Sequence, residues 1–254
     1  MSRWPDGYGL IALAETDSTN AEALRRARGG AAPPFWVTAE RQSQGKGRRG
    51  NVWQSQSGNL FASLAICPPG ADFSQLSFAA ALAASDMLAS FAPAARIEVK
   101  WPNDVLANGR KIVGILLETE TLPQSETRLG EPVLVVGIGV NLASHPDKTA
   151  YGATSLAALG GVVPTAQVAL FRLAETWTKW YGLWLKSGFA PLREAWLARA
   201  VGLGAPVTVR LAHAGEAGRG VRNGLFAGLD ENGALLLDEA GATRKISAGD
   251  VFFI

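Results

Sequence analysis

Hydrophobic and polar positions divide the chain into short strands and a few helices, with a change of rhythm near residue 204. Residues 10–13 read as a strand running into Glu15-Thr16-Asp17-Ser18-Thr19-Asn20, and residues 21–28 as a helix stopped by Gly29-Gly30. Thr19 and Glu22 stand at capping-box spacing. Residues 35–40 make the next strand, and 60–66, apolar on both faces, a strand suited to the centre of a sheet. Residues 74–91 read as an alanine-rich helix capped by Ser74. Residues 97–101 alternate, setting Glu98 and Lys100 opposite Ile97, Val99 and Trp101, until Pro102 forces the chain out of regular pairing. Asn108-Gly109 is a hairpin signal joining 105–107 to 111–118. Residues 122–131 read as a polar surface loop, and 132–140 as a strand with Gly137 and Gly139 near its end, where a ligand can pass close over the backbone. Residues 165–187 form a long helix whose Leu170, Leu173, Ala174, Trp177, Tyr181 and Trp184 recur at helical spacing, a core stripe. A shorter helix covers 191–200. Past Gly202-Leu203-Gly204, turn signals at Asn223-Gly224, 230–233 and 239–241 punctuate roughly five short strands, the pattern of a small barrel. The expected fold class is α+β: a mixed β-sheet with flanking helices over residues 1–203, then a small C-terminal β-barrel over 204–254.

Composition narrows the class. Of 254 residues, 48 % are hydrophobic and 18 % charged, which favours a sizeable core over disorder. A net charge of +2 is too mild to make a polyanion the main partner. Cys67 is the only cysteine, so no internal disulfide forms and a reducing compartment is natural; at the end of an apolar strand it reads as a small core residue. His145 and His213 lie far apart without a partner cysteine, so no structural zinc site is expected. The apolar run 8–14 is too short to span a bilayer and is bracketed by charges. Neither signal peptide nor anchor is expected, and the cytoplasm is the expected compartment.

One stretch lacks any burial pattern: residues 42–50, QSQGKGRRG, followed by Asn51-Val52-Trp53. Glycines alternate with cations, so bare N–H groups and cationic heads can converge on an anion, and the loop is expected to stay mobile until one binds. A solvated basic turn is the plain alternative. A second polar cluster is KWPND at 100–104, a lysine on a strand's polar face beside a bend carrying an amide and a carboxylate. Ser18, Thr19 and Asn20 offer more hydrogen-bonding groups than one helix cap needs. Lys46, Arg48, Arg49, Lys100 and Lys111 are possible anion binders, whereas acidic metal clusters and Ser–His–Asp sets are absent from the pattern. Holding two anions against each other is a better reading than covalent catalysis by the protein.

In chain order, DSTN at 17–20, GKGRRG at 45–50 with Trp53 three residues on, KWPND at 100–104, KIVGILLE at 111–118 and GIGVN at 137–141 together resemble the biotin protein ligases, which attach biotin to a lysine of carboxylase carrier domains. GxGRRG alone is weak evidence; KWPND with four companions in register is specific, and the match runs over essentially the whole chain. The resemblance implies a mixed sheet flanked by helices and an SH3-like barrel beginning near Ala205. It also implies a two-step reaction. Biotin's carboxylate attacks the α-phosphate of ATP, with Mg²⁺ assisting, to give biotinyl-5′-AMP and pyrophosphate; the acceptor lysine's amine then attacks that anhydride and AMP leaves.

Carried over by position, Ser18, Thr19 and Gln42 hydrogen-bond the ureido side of biotin, with Asn20, Gly45, Lys46, Gly114, Gly137 and Gly139 in the same pocket. Lys100 lies between biotin's carboxylate and the α-phosphate, and with Arg48 forms the catalytic pair. The glycine loop folds over the adenylate, Gly45 and Gly47 supplying backbone contacts, while Lys46, Gly47, Arg48, Trp53, Asn103, Lys111 and Asn141 form the nucleotide side. No residue is assigned to a metal. Expected partners are biotin, ATP and a carrier domain, with no specific DNA binding, no membrane, and a monomer or weak homodimer.

Two departures from the family pattern carry expectations. Lys46 stands where better-known members have arginine; a point charge in place of a bidentate fork implies faster release of biotinyl-AMP. Only 17 residues precede Ser18, against the roughly sixty of a DNA-reading helix-turn-helix, so repressor activity is not expected. The rival readings are a lipoate or octanoate ligase or transferase of the same fold, which lacks KWPND, a nucleic-acid-binding module using residues 45–50, and a biotin-binding protein without chemistry.

Overall fold

Seven strands carry the larger part of the molecule. The computed structural model describes residues 4–70, 72–122, 132–147, 152–211 and 220–253. Its elements are β1 (Gly9–Thr16), α1 (Thr19–Arg28), β2 (Phe35–Gln42), β3 (Leu60–Ile66), α2 (Leu76–Phe91), β4 (Ile97–Lys100), β5 (Asp104–Ala107), β6 (Arg110–Thr121), β7 (Pro132–Val140), α3 (Ala166–Ser187), α4 (Ala190–Leu197), β8 (Pro206–Leu211), β9 (Val221–Leu229), β10 (Leu235–Glu239), β11 (Ala242–Ile246) and β12 (Gly249–Phe253). The first seven strands form one sheet in the order β1-β2-β3-β7-β6-β5-β4. Only β1 and β2 run parallel, so the sheet is mixed, as expected.

Strand alternation decides which helix lies on which face. Phe35, Val37, Ala65, Val133 and Val135 pack with Ala23 and Ala27 of α1. Their neighbours Trp36, Leu64, Leu134, Val136 and Ile138 turn the other way, onto the alanine-rich α2 and the Leu170–Trp177 stripe of α3. Alanines 79–81, 83 and 84 of α2 are wholly or almost wholly buried, which lets the helix approach the sheet closely. The face carrying α1 is left uncovered beyond that helix's N-terminus, and this is where the candidate site lies.

β8–β12 form a second, antiparallel sheet in the order β11-β10-β9-β8-β12. Among the described residues β11 and β12 do not pair, so the expected barrel is here an open five-stranded sheet. It is not a separate lobe: Val207, Phe226, Leu237 and Val251 join the main hydrophobic core. Trp101 Nε1 also donates to Gly233 O at 3.1 Å across the seam.

Several local expectations are corrected. Ser18, not Thr19, is the N-cap of α1; it makes no side-chain cap bond, and Glu22 instead pairs with Arg25 and Arg26. A 3₁₀ turn, Phe73–Gln75, precedes α2, and Asp72 caps it by accepting from Ser74 N. Asn223-Gly224 lies inside β9; Gly224 is needed because a Cβ there would meet Asp238 O at 2.5 Å. Cys67, one residue past β3, is exposed and not in the core. Asn108 and Gly109 do make the β5–β6 hairpin, both at positive φ as a two-residue turn of this type requires. Most of the loop expected at 122–131, and His213, fall outside the described residues.

Candidate active site

Sheet register builds the floor of the site. One row of cross-strand neighbours runs Ala39, Phe61, Gly139, Gly114, Asp104, Lys100, and the next runs Val37, Ser63, Gly137, Leu116. The glycines lie mid-row, so the sheet has a trough there. Loop residues 46–54, the start of α1 and the edge of the second sheet wall it into a cleft of about 550 Å³. That is the size of a small-molecule site.

What passes over those glycines is the protein's own side chains. A Cβ on Gly137 would lie 2.2 Å from Asn20 Oδ1, and one on Gly139 2.5 Å from the Trp53 indole. Gly114 is covered by the same indole, at 2.6 Å from its Cζ3. The glycines therefore seat Asn20 and Trp53, which in turn line the cleft. Gly45 is close-packed for a comparable reason, since a Cβ would meet Trp53 O at 2.6 Å.

At one end of the cleft a buried polar network joins α1, β2, β3 and β6. Ser63 Oγ lies 2.6 Å from Asn20 Oδ1 and 2.8 Å from Thr19 Oγ1. Gln42 Oε1 accepts from Thr19 N at 2.8 Å and lies 3.0 Å from Thr19 Oγ1. Asn20 Nδ2 donates to Glu118 Oε2 at 2.7 Å. Ser18, Thr19, Asn20 and Ser63 are all buried, so these hydroxyls and amides are fixed before any ligand arrives.

The cations gather at the other end. Lys100, at the last position of β4, is only 4 % exposed. Burial pushes its ammonium down to about 8, with Lys111 acting the same way and Asp104 and Asp250 opposing. The rings of Phe252 and Phe253 lie 6.0 and 5.9 Å from its Nζ. Lys111 Nζ is 2.6 Å from Asp104 Oδ1 and sits over the Trp53 ring at 5.7 Å. A register shift between Val105 and Leu106 places Lys111 opposite Leu106, on the same face as Asp104 and Gly114. Without that bulge its parity would send it to the far side of the sheet.

The basic loop is not structureless. Lys46 and Val52 form an antiparallel bridge, Gly47 N donates to Asn51 O at 2.7 Å, and residues Arg48–Gly50 make a 3₁₀ turn. Gly47 N is thus spent inside the loop. Arg49 has φ 55, a left-handed conformation costing an L-residue roughly 1–2 kcal/mol. The loop is tied to the second sheet: Arg49 Nη1 is 2.5 Å and Arg48 Nη1 3.7 Å from the Asp250 carboxylate. Arg48 also donates to Asn103 Oδ1 at 3.3 Å. Burial lowers the Arg48 pKa, with Arg49 acting the same way and Asp250 and Asp104 opposing.

Comparison with known proteins places this geometry. Residues 13–141 match the biotin/lipoate A/B protein ligase family and residues 202–254 the biotin protein ligase C-terminal domain. The chain is 44 % identical to the biotin–acetyl-CoA-carboxylase ligase of Paracoccus denitrificans over 249 residues, covering 95 % of this chain and 99 % of that one. This chain is a member of the biotin protein ligase family. It is 34 % identical to the corresponding ligase of Mycobacterium tuberculosis, covering 95 % and 88 % of the two chains. Among solved structures it resembles the biotin protein ligase of Aquifex aeolicus in complex with biotin and ATP, with a TM-score of 0.78 at 26 % identity over 96 % and 97 % of the two chains.

The sequence-chosen ligase residues do come together. Ser18, Thr19, Asn20, Gln42, Lys46, Gly47, Arg48, Trp53, Lys100, Asn103, Lys111, Gly114, Gly137, Gly139 and Asn141 all line one cleft. Gly45 does not line it and packs instead against Trp53 O, Ser55 and Gln42. Asn141 is buried, with its amide donating to Thr154 O at 3.0 Å, and so shapes the wall. Sequence reasoning missed Arg210, Asp250, Val251 and Phe252 from the second sheet, which close one side of the cleft. It also missed Ser63 and Glu118, which hold Asn20 from behind. Glu118 ends the KIVGILLE motif, and its place on the site's face was the signal available.

Proposed function

We propose that this chain is an ATP-dependent biotin–protein ligase using one cleft for both half-reactions. The observation that carries the reading is the cleft's two unlike ends over two adjacent glycine-floored rows: prearranged neutral hydrogen-bonding groups at one, a buried ammonium with further cations at the other. Biotin's ureido ring fits the Thr19–Gln42 end, and its carboxylate then points along the glycine trough toward Lys100. ATP enters from the loop side, with its α-phosphate between Lys100, Lys111 and Arg48. A carboxylate oxygen attacks α-phosphorus, the bond to the β-phosphate oxygen breaks, and pyrophosphate leaves. Lys100 acts by lowering the repulsion of the two anions and meeting the charge that builds on phosphorus.

In the second step a neutral lysine amine of the acceptor attacks the acyl carbon of biotinyl-5′-AMP, AMP departs with the bonding pair, and the nitrogen loses a proton. Trp53 and the closed loop keep water from the anhydride. Among the described residues no group of three His, Cys, Asp or Glu gathers as a metal cage. Mg²⁺ in this scheme is part of the nucleotide substrate, held chiefly by phosphate oxygens and water. The acceptor is the biotin carrier domain of a carboxylase, the working form a monomer or weak homodimer, and the compartment the cytoplasm, where ATP is supplied. We place the boundary between catalytic and C-terminal units at 203/204.

The test is exchange of labelled pyrophosphate into ATP, followed by transfer to a purified carrier domain. The reading requires exchange that depends on biotin and is not supported by lipoate or octanoate. Exchange with lipoate and none with biotin would move the chain to the lipoate branch. Binding of nucleic acid unaffected by biotin and ATP, with no exchange, would contradict the reading altogether.

A further inference from the structure

Alternation along β8 sends Val207 and Val209 into the core and turns Thr208 and Arg210 to the opposite face of the second sheet. There Arg210 lies directly across from Asp250 of β12. The ion pair that this register offers is not the one made. The Asp250 carboxylate goes to Arg49 and Arg48 of the basic loop, at 2.5 and 3.7 Å. Arg210 lies instead over its diagonal neighbour Phe252, with its guanidinium carbon 4.9 Å from the ring centre. It has no carboxylate partner among the described residues. The same ring lies 6.0 Å from Lys100 Nζ, so one aromatic side chain holds a cation from each sheet. Arg210, Phe252 and Lys100 all line the cleft. Other cations at this end are committed, Lys111 to Asp104 at 2.6 Å and Arg48 to Asp250. Lys100 is buried and Arg210 exposed. From the floor outward the cleft thus offers an ammonium, a ring and then a solvent-facing guanidinium.

We propose that Arg210 binds the outer phosphates of the nucleotide and then the pyrophosphate that leaves. This rests on the proposed function, which puts the α-phosphate at Lys100; an extended triphosphate continues from there past Phe252 to the rim. The planar fork of a guanidinium matches two phosphate oxygens at once, which an ammonium cannot do. As the bond between the α-phosphorus and the bridging oxygen breaks, negative charge passes to the departing β,γ-unit, and a cation held there by an aromatic ring stabilises it. Biotinyl-5′-AMP has lost those two phosphates. Arg210 therefore serves the first half-reaction and is idle in the second.

The two half-reactions, measured separately on the full chain, test this. In biotin-dependent exchange, Arg210→Gln should raise KM for ATP and KM for pyrophosphate about tenfold each, the worth of one charge-assisted hydrogen bond. KM for biotin should hold, as should single-turnover transfer from preformed biotinyl-5′-AMP to the carrier domain. Arg210→Lys, a point charge in place of a fork, should fall between native and Arg210→Gln, and it carries the test if the glutamine variant fails to fold. Unchanged KM values for ATP and pyrophosphate overturn the inference. So does slower transfer with those values unchanged, which would place an acidic group of the carrier at Arg210. An equal loss in every constant, the mark of a structural role, overturns it as well. Absent biotin-dependent exchange in native protein would instead contradict the functional reading. Calorimetric Kd values for MgATP and magnesium pyrophosphate, native against Arg210→Gln, would still decide the role of Arg210: about tenfold weaker binding of both upholds it, and equal or no binding overturns it.

Discussion

The sheet floor and the basic loop meet in the same cleft and are held by opposite kinds of force. On the floor, Asn20, Ser63, Thr19 and Gly137 are buried and interlocked by short neutral hydrogen bonds and by close packing onto a glycine backbone. In the loop, Lys46, Asn51 and Val52 are exposed, and the attachment to the second sheet is by guanidinium contacts to the Asp250 carboxylate and to Gly249 O. Neutral networks in a dry setting are costly to rearrange. Exposed ion pairs contribute little and exchange readily. The Asp250 carboxylate occupies Arg48 and Arg49, the charges a phosphate would take in the proposed reaction. On that proposal the floor recognises and the loop responds.

That contrast can be broken at either end. Lys100→Ala removes the one buried ammonium among the described residues of the cation end and should lower biotin-dependent pyrophosphate exchange about 10³-fold, at the upper end of what one electrostatic stabiliser supplies. Undiminished exchange would remove Lys100 from the chemistry. Gly139→Val fills the trough beneath Trp53 and should cut kcat/KM for ATP about 10²-fold by misplacing the indole, with a smaller loss for biotin. Equal losses for both substrates would mean that the floor is not divided as described.

Acidity gives a third handle. Burial depresses the Lys100 ammonium to about 8, so it is charged below that pH and neutral above it. Exchange measured as kcat/KM should therefore fall about tenfold per pH unit above roughly 8, and Lys100→Arg, which stays charged, should flatten that limb. Asp250→Ala removes the loop's ion pairs to the second sheet and should change KM for ATP only about two- to fivefold, in keeping with partly exposed ion pairs. Smallest of all, Lys46→Arg should slow release of biotinyl-AMP, followed by single-turnover quench, since a fork replaces a point charge. No slowing would count against that contact.

Where local chemistry settles structure, the sequence was readable. The bounds of β3 and β7 follow from apolar runs ended by turn residues, and the β5–β6 hairpin from Asn108-Gly109. The stripe on α3 was likewise visible, although Trp180, also buried, escaped it. The motifs picked out residues that share one cleft. Geometry set by partners distant in sequence was not. The same Asn-Gly pair that turns the chain at 108–109 lies within β9 at 223–224, because pairing with β8 and β10 outweighs local turn preference. Lys111 reaches Asp104 only through a bulge that shifts register by one residue, which periodicity cannot show. Gly137 and Gly139 were read as a place where a ligand passes over the backbone, whereas the groups seated on them are Asn20 and Trp53. Asp250, some two hundred residues from Arg49 in sequence, carried no motif to mark it.

Hydrogen exchange, followed peptide by peptide, tests the division between floor and loop most directly. Amides of residues 45–53 should gain protection when biotin and a non-hydrolysable ATP analogue are added together, while those of β3 and β7 stay at their already slow rates. Ligands that slow exchange in β3 and β7 and leave 45–53 unchanged would show that the floor responds and the loop does not, contradicting the account.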